Sequence, residues 1–249
     1  MGFLNKLGIG INTGTSRVAS RTVTPSDRSL KNGGHATAVG ATRAPEMHEA
    51  ARVSNGLKEF LWNLDGLGRG TLLDLGPAWQ TTLSFFIERG FRVSSEDILR
   101  GWKAFLDQEE ARLREDTTIR ETLDMTPSGR AQRFLGTNLE YPKASFDAVL
   151  AWDILDYLEP VLAKQTVAHL TDLLRPGGVV LAMFHSKKPE GFQRYRVTDS
   201  NTLQVISSAT ICPAQKVYQN REIQDLFSRY RTMKSFVGRD QLRENLFIK

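Results

Sequence analysis

Short apolar runs alternate along the chain with segments of helical periodicity. Four runs have the length and composition of buried strands, at residues 71–75, 91–95, 146–152 and 179–184. Helices are predicted between and before them, at residues 46–64, 82–89, 102–123 and 159–174. Strands that alternate with helices in this way predict an α/β fold with a mostly parallel sheet and helices on both faces.

The last third of the chain departs from this alternation. Residues 192–198 and 202–206 alternate apolar and polar positions around a turn, which predicts an inserted β-hairpin within about residues 190–210. A helix follows with Asn220 as its expected N-cap. Two short apolar stretches, 233–237 and 244–248, predict a closing pair of strands.

The turn after the first strand carries the strongest candidate chemistry. The apolar run ends in Asp74 and Gly76, and a helix is predicted from near Trp79. A strand, turn and helix of this kind put backbone N–H groups at the carboxyl edge of the sheet, where open α/β sheets bind nucleotide-like ligands. The second strand ends in Glu96 and Asp97. A carboxylate there can accept hydrogen bonds from both hydroxyls of a ribose.

On these residues the chain resembles the class I S-adenosylmethionine-dependent methyltransferases. Three segments carry the resemblance in the family's order: the turn at 74–80, the strand and loop at 144–158, and the Pro-Gly-Gly turn and strand at 173–184. The resemblance covers about residues 50–249. It implies a seven-stranded Rossmann-like sheet with an antiparallel last strand. Residues 124–138 show no clear strand, so the third strand is expected to be short or absent.

The resemblance also implies S-adenosyl-L-methionine as the cofactor. The residues implied in its binding are Asp74, Gly76, Pro77, Ala78, Glu96, Asp97 and Trp152. Asp97 stands at the aligned position of the ribose-binding acid, with Glu96 as the near alternative. Two glycines of the family pattern are replaced, by Ala78 and Gln80, and Pro77 removes a backbone N–H. The turn is therefore stiffer and bulkier than the family's.

Asp153 and His185 are the catalytic candidates, because each follows one of two neighbouring strands. His185 is suited to act as a general base near neutral pH, and the alternative is a hydrogen-bonded histidine at a strand end. Asp153 is expected either to orient the cofactor's amino group or to cap the next helix.

The predicted hairpin supplies the candidate acceptor-binding residues, Arg194, Tyr195 and Arg196. The alternative is a solvated hairpin face. Side chains alternate along a strand, so the two arginines share one face and Tyr195 lies on the other. We therefore expect only one of these faces to turn toward the cleft.

Composition and charge restrict the partners. Residues 1–45 contain six basic residues and one acidic residue, which leaves 27 of each in the rest of the chain. The domain at 46–249 is therefore neutral, which argues against nucleic-acid binding. The composition of 1–45 predicts a disordered basic tail. Apolar residues within the first eleven share a helical face, so a membrane anchor is an alternative to a frayed start, but Gly8 and Gly10 favour the frayed start.

Cysteine and histidine usage adds two expectations. Cys212 is the single cysteine, so an internal disulfide is excluded and a reducing, cytoplasmic compartment is expected. The four histidines are scattered, and no metal site is predicted.

The sequence therefore favours an S-adenosylmethionine-dependent methyltransferase that acts on an unidentified acceptor, most simply a small molecule. The alternative is a methyltransferase-like binding or regulatory module without catalysis. The altered turn supports that alternative, and the retention of Asp74 and Asp97 opposes it. A nicotinamide-dependent Rossmann enzyme is disfavoured, because residues 76–81 lack the Gly-x-Gly-x-x-Gly turn.

Overall fold

Nine strands and six α-helices make up the described part of the chain. The computed structural model describes residues 49–115, 123–238 and 240–249, and the predicted tail at 1–45 lies outside them. In chain order the elements are β1 (Glu49–Val53), α1 (Asn55–Leu64), β2 (Gly70–Asp74), α2 (Gln80–Ile87), β3 (Phe91–Ser95), α3 (Ile98–Glu115), α4 (Pro127–Asn138), β4 (Phe146–Trp152), α5 (Pro160–Leu173), β5 (Leu174–His185), β6 (Phe192–Val197), β7 (Thr202–Ser208), α6 (Asn220–Leu226), β8 (Thr232–Val237) and β9 (Leu242–Ile248). A short 3₁₀ helix (Ile154–Asp156) follows β4.

The main sheet has the strand order β3-β2-β4-β5-β9-β8. Neighbouring strands from β3 to β5 are parallel, whereas β9 runs antiparallel to both β5 and β8. The chain proceeds outward from β2 to β3 and then returns to β4 on the other side of β2. The strand order reverses at this point, and ligands of open α/β sheets bind in the crevice at the carboxyl ends of such strands.

Both faces of the main sheet are covered. Four consecutive residues of β4, at positions 148–151, are fully buried. Successive side chains of a strand point to opposite faces, so packing must exist on each side. The covering helices contribute apolar residues to one continuous core, among them Phe60, Phe86, Trp102 and Phe134. No helix in the described residues is long and apolar enough to cross a bilayer.

The described residues pair six strands in the main sheet, where seven were predicted. The segment in which a third strand was sought forms α4 instead. Thr126 caps this helix by accepting a hydrogen bond from the backbone N–H of Gly129, and Pro127 occupies the first turn. A capping hydroxyl and a proline at the first turn both favour a helix start.

The helix predicted at 46–64 begins eight or nine residues later than expected, and the segment before it is a strand. Ser54 accepts a hydrogen bond from the backbone N–H of Leu57 and caps α1. The preceding residues form β1, which pairs antiparallel with β7 in a second sheet of order β1-β7-β6. Pairing with β7 therefore overrides the helical preference of Ala50 and Ala51.

Two other helix boundaries differ from expectation. α3 spans Ile98–Glu115, and the remainder of the predicted helix falls on residues 116–122, outside the described residues. Gln219, rather than Asn220, is the N-cap of α6, and it forms a reciprocal capping box with Glu222. Glu222 stands three residues after Gln219, which is the spacing of a capping box. The helix is therefore capped at Gln219 rather than one residue later.

The two aromatic residues of α1 test the packing of this helix on the core. Phe60 is fully buried and meets Phe86 edge to face at a centroid distance of 6.4 Å, whereas Trp62 is 74% exposed. Phe60→Ala is expected to lower the free energy of unfolding by about 3–5 kcal/mol because it leaves a cavity. Trp62→Ala is the matched control and should change it by about 0.5 kcal/mol or less. Urea denaturation measures both, and equal losses would contradict the packing.

Candidate functional site

The candidate residues gather at the carboxyl edge of the parallel strands. Asp74 ends β2, Asp97 lies just beyond β3, Asp153 follows β4 and His185 ends β5. Because these strands are adjacent and parallel, their carboxyl ends meet at one edge. The sequence therefore brings four chemically active side chains to the same region of the fold.

Asp74 is committed to bonds within the protein. Its Oδ1 accepts hydrogen bonds from the backbone N–H of Gly76 at 2.9 Å and from the indole Nε1 of Trp152 at 2.7 Å. A Cβ atom on Gly76 would lie 2.8 Å from that Nε1, so only glycine fits beside the indole. Trp152 itself has a φ of 48°, a conformation that bulky residues rarely adopt. Strained residues of this kind cluster at functional sites.

Burial changes the acidity of Asp74. Desolvation raises the pKa of this carboxyl from 3.8 to about 6, and the hydrogen bonds from Trp152 and Gly76 offset only part of the rise. The negative charge of Asp97 contributes to this rise, and the positive charge of Arg194 opposes it. The edge therefore carries a carboxyl group that gains a proton in mildly acidic solution.

Both candidate ribose acids are also bonded to protein side chains. Arg194 Nη2 donates to the two carboxylate oxygens of Asp97, each at 3.2 Å. The side chains of this pair are 8% and 17% exposed. Glu96 accepts a hydrogen bond from the hydroxyl of Tyr141. The partner of Asp97 thus comes from the hairpin, and the partner of Glu96 from the segment between α4 and β4.

Asp153 and His185 lie together in a cluster that includes a third residue. His185 Nε2 is 3.8 Å from Asp153 Oδ2, and its Nδ1 is 3.1 Å from Asp156 Oδ2. The backbone N–H of His185 donates to the same oxygen of Asp156 at 2.7 Å. Asp156 was not singled out from the sequence. The available signal was an acid three residues after Asp153, in the loop that leaves β4.

The carboxylates around His185 raise its proton affinity. Burial alone would lower the pKa of the imidazole, but the hydrogen bond to Asp156 and the charges of both aspartates outweigh it and raise the pKa. Desolvation raises the pKa of Asp153 to about 6 and also raises that of Asp156. Within the described residues, no group of three or more His, Cys, Asp or Glu side chains is arranged to hold a metal ion.

The sequence predicted that only one face of the hairpin strand turns toward the cleft, but residues from both faces lie there. Arg194 is 7% exposed and Tyr195 only 2%. Tyr195 stacks on Trp152 at a centroid distance of 5.8 Å and donates its hydroxyl hydrogen to Asp153. The expectation was wrong because β6 is covered on both sides. Alternation along a strand predicts one buried face only when the other face is in solvent. Here both faces of β6 are packed against other parts of the protein.

The other predicted residues lie at the margin. Arg196 donates from its Nε to Gln204 at 2.6 Å and lies over the ring of Trp79, so it contacts the hairpin and the start of α2 rather than the cleft. Pro77 lines the cleft, and Ala78 is exposed to solvent.

The cleft has almost no free space in this conformation. The cavity bounded by Gly76, Pro77, Trp152, Arg194 and Tyr195 has a volume of about 10 Å³. That is close to the minimum space for a single water molecule, roughly 10–15 Å³. A nucleoside cofactor does not fit there while β6 is in place. A larger cavity of about 480 Å³ opens beside His185 and shares Tyr195 as a wall with the first.

Comparison with known proteins gives distant similarities only. No protein-family model and no curated protein matches the sequence. The 1,6-didemethyltoxoflavin-N1-methyltransferase of Burkholderia thailandensis, solved with S-adenosylhomocysteine, is 15% identical over 79% of both chains, with a TM-score of 0.40. A SAM-dependent methyltransferase from Aquifex aeolicus is 11% identical over 79% of this chain and 90% of its own, with a TM-score of 0.40. Such similarities assign no role to any residue.

The strand order itself decides the fold. β9 runs antiparallel between β5 and β8, and β2 lies between β3 and β4 where the order reverses. This is the arrangement that the sequence resemblance implied, with one strand fewer in the described residues. The fold is that of the class I methyltransferases. The turn at 74–76 and the segment after β3 lie side by side, because the backbone N–H of Glu96 donates to the carbonyl of Asp74 at 2.8 Å.

The raised pKa of His185 is open to direct measurement. We expect an NMR titration to give this histidine a pKa above 6.5, because the bond to Asp156 and the nearby carboxylate charges together outweigh burial. In Asp156→Asn the pKa of His185 should fall, because burial still lowers it and the negative charge of Asp156 no longer raises it. The His185→Gln spectrum identifies the resonance. A pKa at or below 6.5 in the wild-type chain would contradict the proposed electrostatics.

The buried carboxyl of Asp74 predicts a pH-dependent stability. Its pKa rises from 3.8 to about 6 on folding, so the folded state keeps a proton that the unfolded state has lost. This carboxyl should therefore lower the free energy of unfolding by about 2.4 kcal/mol between pH 4 and 7, at 1.36 kcal/mol per pKa unit. In a urea denaturation series, Asp74→Asn should lose this contribution and keep the one from Asp153, whose pKa burial also raises to about 6.

Asp147→Asn is the control for that series. Desolvation would raise the pKa of Asp147, but the bonds from Arg175 and Thr71 lower it overall. Its contribution is therefore present above the unfolded pKa and is lost only as the pH falls below about 4. The slope between pH 5 and 7 should match that of the wild type. Parallel curves for Asp74→Asn and the wild type would show that Asp74 is not the source.

Proposed function

We propose that the protein is an S-adenosylmethionine-dependent methyltransferase acting on a small-molecule acceptor. The observation that supports this most strongly is the position of Asp97, directly after β3 and beside the turn at 74–76. A carboxylate at this point of a class I fold is placed to accept both hydroxyl hydrogens of a ribose. The cofactor would supply an electrophilic methyl group, so the chain itself has to bind, orient and deprotonate.

Asp97 is a better ribose acid than Glu96. Glu96 is held by Tyr141, which belongs to the main body of the fold. Asp97 is held by Arg194, on a hairpin that forms part of a separate sheet. Asp97 also contacts the backbone N–H of Arg100 at 3.3 Å and its guanidinium at 3.9 Å, at the start of α3. A movement of the hairpin therefore removes the partner of Asp97 that lies across the cleft. The conformation described here excludes the cofactor, and binding depends on that movement.

The cavity of about 480 Å³ beside His185 is proposed as the acceptor pocket. Its volume lies in the range of small-molecule sites, roughly 300–1,000 Å³. Lys187 and Glu190 at its rim are opposite in charge, and Arg52 is already paired with Asp240 and Glu244. The pocket therefore shows no preference for an anion or a cation. His185 is the group placed to accept a proton from the acceptor, and Asp156 holds its ring by Nδ1.

A second candidate function is supported by the filled cleft. A domain that has lost cofactor binding and serves as a binding or regulatory module would also carry protein side chains where the cofactor belongs. The small cavity of about 10 Å³ and the pairing of Asp97 with Arg194 agree with this alternative. The two functions differ in one property, which is the binding of the cofactor or its product.

Calorimetric titration of S-adenosylmethionine and S-adenosylhomocysteine into the purified chain separates the two. The methyltransferase proposal predicts saturable binding of both ligands. Compared within the Arg194→Met background described below, Asp97→Ala should weaken the product's binding by roughly 1.5–3 kcal/mol, the range for loss of hydrogen bonds to a charged group. Glu96→Ala is the control and should leave the affinity nearly unchanged. Absence of binding at millimolar ligand in the wild-type chain and in the Arg194 variants described below would favour the regulatory module.

A further inference from the structure

The side chains of β6 occupy the cleft at two points. Arg194 donates hydrogen bonds to both carboxylate oxygens of Asp97, and Tyr195 stacks on Trp152 while it donates to Asp153. Together with the turn at Gly76 they leave about 10 Å³ of free space. The cleft is therefore closed by specific polar contacts rather than by a loose collapse of apolar side chains.

Arg194 and a ribose would compete for the same atoms. A ribose diol donates two hydroxyl hydrogens to a carboxylate, and the guanidinium group of Arg194 donates N–H hydrogens to both oxygens of that carboxylate here. The positive charge adds to the strength of these bonds. The guanidinium also lies 4.9 Å from the ring centre of Phe192, so its position is fixed by packing. The two occupants of Asp97 exclude each other.

The hairpin belongs to a sheet of its own, and its residues Phe192, Tyr195, Val197 and Leu203 are buried in the common core. In the described residues β6 pairs with β7 and β7 with β1, and these three strands form their own sheet. Residues 186–191, which lead into β6, are mostly exposed. Residues 209–217, which follow β7, are half-buried and donate two backbone hydrogen bonds to the carbonyl of Asp156. A direct bond anchors the far end of β6, from the N–H of Val197 to Thr82 Oγ1 at 2.9 Å. The end with Phe192 and Arg194 is next to the first connecting segment.

We propose that Arg194 is an internal competitor for the ribose acid, and that cofactor binding requires the Phe192 end of β6 to leave the cleft. This rests on the proposed methyltransferase function. The measured affinity is then the intrinsic affinity reduced by the fraction of molecules in which the cleft is open. Breaking the pair is costly while both charges stay buried, so the closed form predominates without ligand. The hairpin thus sets the cofactor concentration at which the protein becomes active.

Arg194→Met tests the competition. Methionine keeps an unbranched side chain against Phe192 but has no N–H donor and no charge. In calorimetric titrations with S-adenosylhomocysteine, the variant should bind about tenfold or more tightly than the wild type, because the open fraction rises. Arg175→Ala is the matched control. It removes an arginine paired with Asp147 near the opposite end of β4 and should leave the affinity unchanged.

Guanidinium ion at tens of millimolar provides a second readout. In Arg194→Met the free guanidinium ion can bind the Asp97 carboxylate in place of the missing side chain, so it should weaken binding of the product. Its effect on the wild type should be smaller, because Arg194 already occupies that carboxylate. Thermal melting checks that the variant is folded, and Arg194→Ala replaces it if it is not. Equal product affinity in the wild type and the folded variant overturns the competition and leaves the methyltransferase proposal intact. Absence of product binding in every form overturns both.

Discussion

The hydrogen bond from the Trp152 indole to the buried carboxylate of Asp74 organises the whole edge of the sheet. It joins the ends of β2 and β4, the two strands on either side of the switch point. The indole leaves no room for a side chain at position 76. The backbone of Trp152 itself takes the left-handed conformation. Tyr195 stacks on the same indole and reaches Asp153, which lies next to His185. Trp152 thus connects the turn, the hairpin and the neighbourhood of the histidine.

Electrostatics explains why basic and hydroxyl groups from the hairpin enter the cleft. The ends of β2, β3 and β4 bring five carboxyl groups to one edge, at Asp74, Glu96, Asp97, Asp153 and Asp156. Burial raises the pKa of Asp74 and of Asp153 to about 6, which measures the cost of keeping charge there. Arg194, His185 and two tyrosine hydroxyls offset part of this cost. A ligand that displaces Arg194 has to replace its contribution to Asp97, and a ribose diol can do so in part.

Closure of the cleft by the hairpin is compatible with the stiff turn at 76–80. Pro77 and Ala78 make the turn stiffer than a glycine-rich one, and Pro77 lines the same small cavity as Arg194. A stiff turn does not have to close around a ligand if a separate hairpin performs that movement. The pocket beside His185 has a volume of about 480 Å³ even while the cofactor cleft is closed. Entry of an acceptor therefore does not require the hairpin movement that the cofactor requires. Tyr195 and Gln193 line both spaces, and a movement of this part of β6 would join them.

The sequence by itself determined the strands of the main sheet and the residues at their carboxyl ends. Strand length, the polar residue that ends each strand and the Pro-Gly-Gly turn are local properties, so Asp74, Asp97, Asp153 and His185 could be located without a structure. The reversed β9 was also predictable from the closing pair of strands. Local pattern failed where pairing partners decide the conformation. β1 is a strand because β7 offers an unpaired edge, although its residues favour a helix.

The tertiary structure alone decided what these residues touch. Alternation along β6 predicted one face toward the cleft, but the strand lies between two packed surfaces and buries both Arg194 and Tyr195. Asp156 carried no distinguishing pattern, and its role at His185 follows from a 3₁₀ helix that turns it toward β5. Contacts between residues about 30 to 100 positions apart depend on how the elements dock. That docking is set by burial of the whole core, which no local stretch of sequence encodes.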